Sequence, residues 1–157
     1  MGAIVSELPR VTVRRVSVED AAAVATLSGQ LGYAASADEM RARIETLSGC
    51  GESQVVLVAC IQDGDATKLV GWIDFAISYH LQTSPFVLIG GLVVQDGLRG
   101  LGIGSRLCEE AEAWTRAQGI SVLRVTSRST RSDAHRFYLR DGYTEVKTSK
   151  IFEKRLD

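Results

Sequence analysis

An apolar run ends at Val94, and within ten residues the chain places an arginine and three alternate glycines, Arg99-Gly100-Leu101-Gly102-Ile103-Gly104. Glycines this close together let main-chain N–H groups approach a ligand with no Cβ in the way. The amphipathic stretch that follows puts a helix N-terminus, which favours negative charge, directly behind them. Together these residues read as a cradle for a pyrophosphate. Two nucleotide readings fail on spacing. A Walker loop requires Gly-Lys-Ser/Thr, and here the order is Gly104-Ser105-Arg106. A dinucleotide fingerprint requires Gly-x-Gly-x-x-Gly, whereas these glycines follow Gly-x-Gly-x-Gly in the middle of the chain.

Positioning such a loop requires a strand before it and a helix after it, and the pattern supplies both. Phe86–Val94 is apolar and rich in β-branched residues, which predicts a buried strand. Ile103, Leu107, Cys108, Ala111 and Trp114 recur at helical spacing, up to a C-cap at Gly119. Upstream, Val11–Val16 predicts a strand. Ser17 with Asp20 and Ser36 with Glu39 predict two capped helices, to about Leu31 and Leu47. Gln54–Ile61 and Leu69–Ser78 flank the turn signal Asp63-Gly64-Asp65 and predict a hairpin. Downstream come a short strand at Val122–Thr126, a brief helix from Ser132 to about Asp141, and closing strands at Tyr143–Lys147 and Lys150–Leu156. Residues 1–9 read as a loose terminus. The order of elements implies an α/β or layered α+β domain, a mixed sheet with helices on its faces, spanning residues 1–157 as one unit.

Composition narrows the function. The net charge of −1 argues against a nucleic-acid partner. No apolar run approaches the ~18 residues of a membrane span, and no secretory signal is visible. Cys50, Cys60 and Cys108 have neither metal-ligand nor redox spacing; they read as small buried hydrophobes of a reducing cytoplasm, with no metal expected. The charge is unevenly divided. Residues 1–98 carry 6 Lys and Arg against 11 Asp and Glu, and residues 99–157 carry 12 against 8. The basic C-terminal part suits an anionic ligand at the glycine loop, and the acidic N-terminal part suits a cationic second ligand.

Arg99-x-x-Gly102-x-Gly104 after an apolar strand resembles the coenzyme-A loop of the GNAT superfamily of N-acetyltransferases. A second block, Ala134-His135-Arg136-Phe137-Tyr138-Leu139-Arg140-Asp141-Gly142-Tyr143, resembles that family's late helix, with its aromatic pair and its Gly-aromatic ending. The resemblance covers about residues 11–156. It implies a mostly antiparallel central sheet of six to seven strands flanked by about four helices, with acetyl-CoA as cosubstrate.

The resemblance also assigns roles. Leu92, Val93 and Val94 offer backbone groups to the pantetheine arm, in the gap where their strand splays from Val122–Thr126. Arg99, Gly100, Leu101, Gly102, Ile103, Gly104 and Ser105 wrap the pyrophosphate. Arg131 stands where many relatives carry an Asn that contacts the arm. Tyr138 is placed as the general acid for the departing thiolate, and the N–H of Val93 as an oxyanion donor. Many relatives carry a Glu on the strand before the loop; here Ile89-Gly90-Gly91 has no carboxylate. Asp74, His80 or a chain of waters is left to act as base, histidine having an ordinary pKa of ~6.5. Gly90-Gly91 is expected to mark a bulge.

The acceptor site is expected between the first two helices and the loop after the third strand, with Tyr33 and Tyr79 as walls. A primary amine on a small, cationic molecule is the expected acceptor. A peptide N-terminus or lysine, or a non-catalytic acyl-CoA sensor, are the alternatives. Dimers are common in the family, which leaves a homodimer open.

Overall fold

The computed structural model describes residues 10–30, 32–98, 100–127 and 132–157. The terminal stretch 1–9 and two candidate ligand contacts, Arg99 and Arg131, lie outside them. The chain divides into two compact units at Val125 and Thr126.

The first unit holds a sheet of five strands, β1 (Val11–Arg15), β2 (Gln54–Asp63), β3 (Ala66–Ser78), β4 (Phe86–Val94) and β5 (Leu123–Val125), side by side in chain order. The first four are antiparallel neighbours, and β5 runs parallel to β4. The β2–β3 hairpin closes at Asp63 opposite Ala66, with Gly64 at a φ of 63°. Ser17 and Asp20 do form a capping box, but on a short 3-10 turn, Val18–Asp20, that leads into α1 (Ala21–Gln30). Asp20 also pairs with Arg14 of β1 at 2.8 Å, tying the helix entrance to the sheet. Ser36 and Glu39 cap α2 (Ala37–Ser48) reciprocally. α3 spans Ile103–Ala117.

The helices cover opposite faces. Ile103, Leu107 and Ala111 of α3 pack on Ile73, Phe75, Val87 and Ile89, all essentially sealed from water. On the other face Ala21, Val24 and Ala25 of α1 and Met40 and Ile44 of α2 pack on Val58 and Cys60, with Trp72 against them. Cys60 and Cys108 are buried as expected. Cys50 is exposed, because it lies just past the C-terminus of α2, where its Sγ meets Thr46 C=O at 3.3 Å.

The second unit carries α4 (Ser132–Arg140). Its closing strands are a correction: residues 143–157 carry no strand, and the sheet described here has five strands rather than six to seven. Strand propensity expresses a fit to a half-buried pleated surface more than a preference of the backbone. Val146, Ile151 and Phe152 have no such surface; they are 73%, 92% and 89% exposed.

Candidate active site

The glycine loop takes the shape its residues predict. Gly102 is the N-cap of α3 with φ 81° and ψ 8°, a left-handed conformation that costs an L-residue roughly 1–2 kcal/mol. Gly100 is also left-handed. No side chain caps the helix at Gly102, and its first turn carries no acidic residue. The α3 N-terminus therefore turns backbone amides and its positive dipole end toward the loop without a competing carboxylate.

Strand β4 supplies the second feature. Val87, Leu88 and Ile89 pair with both β3 and β5. Beyond Ile89 the β5 ladder stops, so Gly90–Val94 keep β3 on one side and, among the described residues, have no strand on the other. The N–H of Gln95 donates to Val70 C=O of β3 at 2.8 Å. By the alternation of an antiparallel ladder, Val93 also turns its N–H toward β3, and Leu92 and Val94 turn theirs to the open edge. Of the three nominated residues, two thus present amides where an extended ligand chain could pair.

The third feature is a bulge. Asp74 lies opposite Gly91 while the next residue, Phe75, lies opposite Ile89, so Gly90 is the extra residue. The expected bulge is present, and its cause is visible. A Cβ on Gly90 would run into Asp74 Oδ1, and one on Gly91 would lie 2.8 Å from the Trp72 ring. The two glycines make room for side chains of the neighbouring strand. Asp74 thus sits beside a stretch of β4 that has no carboxylate of its own. Burial pushes its carboxyl above the usual range, and the backbone amides of Gly91 and Gly90 pull it partly back. Gly90 itself is exposed, so the carboxylate borders an accessible part of the sheet.

The other candidates are dispersed. His80 is exposed and stacks on Phe86, 5.6 Å between ring centroids, and the Arg124 guanidinium lies 4.2 Å from the Phe86 centroid. Phe86 precedes Gly91 by five residues, or roughly 16 Å along the strand. The structure therefore brings Asp74, and not His80, to the bulge. Tyr79 is exposed on the same loop as His80. Tyr33 is exposed just past α1, where its N–H donates to Ser28 C=O at 3.1 Å. In the second unit, the Tyr138 ring packs edge-to-face with Phe137 and Tyr143, and Tyr143 N–H donates to Tyr138 C=O at 2.9 Å. Among the described residues, no cluster of His, Cys, Asp or Glu could hold a metal ion, and no helix is long and apolar enough to cross a membrane.

Residues 23–143 match the family model for acetyltransferases of the GNAT family. The chain belongs to this family. Among solved structures of similar fold is aminoglycoside N-acetyltransferase AAC(6')-Iy in complex with CoA, with a TM-score of 0.80 at 18% identity, covering 98% of this chain and all of that one. Among curated proteins, an aminoglycoside N(6')-acetyltransferase of Stenotrophomonas maltophilia is 29% identical over 93% of this chain and 94% of its own. An aminoalkylphosphonate N-acetyltransferase of Salmonella typhimurium is 38% identical, but over only half of each chain. The mixed sheet with four helices of this GNAT acetyltransferase follows the resemblance seen in its motifs, with five strands in place of six to seven. Trp72 and Ser28, which frame the bulge from the α1 side, were not singled out by sequence; a lone Trp two residues before Asp74 was the available signal.

Proposed function

We propose that this protein transfers an acetyl group from acetyl-CoA to the primary amine of a small cationic molecule, by direct attack with both substrates bound. The observation that carries this reading is the half-open strand β4. Its free edge, Leu92 and Val94, leads into the uncapped N-terminus of α3, and Asp74 flanks its bulge. The fit to the donor is specific in chemistry. An extended arm finds strand amides, and a pyrophosphate finds the amides of Gly100–Ser105 and the helix dipole. Acetyl-CoA supplies an activated thioester carbonyl when bound.

The chain's residues divide the remaining work. Asp74 accepts the proton that an ammonium must lose before its nitrogen can attack, and its raised pKa makes it a better base than an ordinary carboxylate. Its negative charge also favours a cationic acceptor. Tyr138 delivers a proton to the departing thiolate, a role that rests on the resemblance of the Ala134–Tyr143 block. Tyr33 and Tyr79 border the acceptor. The relatives named for aminoglycosides and aminoalkylphosphonates point to small amines, and the acidic N-terminal part of the chain favours the former.

Free-thiol release from acetyl-CoA, measured with kanamycin A, 2-aminoethylphosphonate and a lysine-bearing peptide, tests the reading. Fastest release with kanamycin A is expected. Binding of acetyl-CoA with no release on any amine would replace the enzyme by a sensor, and preference for the peptide would overturn the small-molecule assignment.

A further inference from the structure

The Trp72 side chain spans two parts of the site, the bulge of β4 and the end of α1. At one end, Cη2 and Cζ3 of the indole occupy the space a Cβ on Gly91 would need. At the other, Nε1–H donates to Ser28 Oγ of α1 at 3.2 Å. Only two polar residues are buried among the described residues, Ser28 and Thr115. Thr115 bonds back to its own helix, through Ala111 C=O at 2.7 Å. Ser28 reaches across to the sheet instead, and its own C=O accepts the N–H of Tyr33 at 3.1 Å. A continuous series of contacts therefore runs from the bulge of β4 through a rigid ring to the turn that follows α1. Trp72 shares its face of β3 with Asp74, two residues away.

We infer that Trp72 is a positioning residue for the acceptor: held by Ser28, it sets the distance between the Gly32–Tyr33 turn and the bulge where the amine meets Asp74. The inference rests on the acceptor reading given above. Gly91 then has a second function, because only a residue without a Cβ lets the ring lie against β4. The ring lies against the bulge and its N–H runs to α1, so it is expected to act on the acceptor more than on the donor.

Two substitutions separate this from ordinary packing. Trp72→Phe keeps an aromatic ring and removes the N–H, and Ser28→Ala removes its acceptor. Both are measured as the full chain, by amide hydrogen exchange and by steady-state kinetics with kanamycin A and 2-aminoethylphosphonate. The expected result is faster exchange at the Tyr33 amide with α2 unchanged. KM for the better amine should rise about tenfold, with kcat and the KM for acetyl-CoA little altered. Unchanged exchange at Tyr33, or an unchanged amine KM in a folded variant, would overturn the inference. Faster exchange throughout the unit, with both KM values moving together, would reduce Trp72 to a core residue and overturn it as well. Turnover of neither amine by the native protein would refute the acceptor reading, and with it the inference, whatever the exchange at Tyr33 shows.

Discussion

Along β4, Val87–Ile89 are bonded to strands on both sides, whereas Gly90–Val94 are bonded on one side only. The first part is sealed: Val87 and Ile89 have no exposure to water. The second begins with an exposed glycine and ends at a loop with left-handed glycines. The same strand thus serves stability up to Ile89 and, in the proposed function, ligand recognition after it. The boundary is set by where β5 ends and where Asp74 forces Gly90 out of register. A backbone group left unpaired by the sheet is a vacancy that a ligand's own amides can fill.

The sharpest way to break this comparison is one substitution made in both parts. Val87→Pro removes the N–H that donates to Val122 C=O at 3.0 Å, inside the core. A loss of ~3 kcal/mol or more is expected, read as a lowered midpoint in a thermal melt. Val94→Pro removes an amide that faces the open edge, where proline is tolerated. The fold should survive with at least a tenfold weaker Kd for acetyl-CoA by calorimetry, about 1.4 kcal/mol. Equal destabilisation by the two variants would erase the distinction. Gly102→Val should also abolish acetyl-CoA binding, through the left-handed φ and not through crowding, since a Cβ there meets nothing within 4 Å. Gly90→Ala, which crowds Asp74, should lower kcat more than it lowers affinity for acetyl-CoA. The smallest effect is expected far from either part. Ser36→Ala removes the α2 cap and should cost about 1 kcal/mol in denaturant melts with no change in kcat.

Much of this architecture was legible in local pattern. Phe86–Val94 ends where the apolar run ends, because the next residues can no longer be buried. The Ser36–Glu39 box starts α2 because both partners lie within one helical turn. What could not be read was non-local. Asp74 is nominated from the sequence alongside His80, but its place beside Gly90 and Gly91 comes from cross-strand register, which the β4 sequence records only as two bare glycines. The link from Trp72 to Ser28 spans 44 residues, beyond any periodic pattern. The closing strands failed for the reverse reason: Val146, Ile151 and Phe152 have the composition of strands, but composition does not supply a neighbour.

The proposed function places the chemistry at the bulge, with Asp74 as the base. Its most direct test is the pH dependence of kcat for native protein and Asp74→Asn, using saturating acetyl-CoA and the best amine. A base must be unprotonated to act, so native activity should fall as the pH drops through the Asp74 pKa. Because burial raises that pKa, the fall should begin above the ordinary carboxylate value of ~3.9. Asp74→Asn should lower kcat on the order of 10²–10⁴-fold, leave acetyl-CoA affinity intact and abolish that acid limb. A variant with native kcat and an unchanged limb would contradict the account.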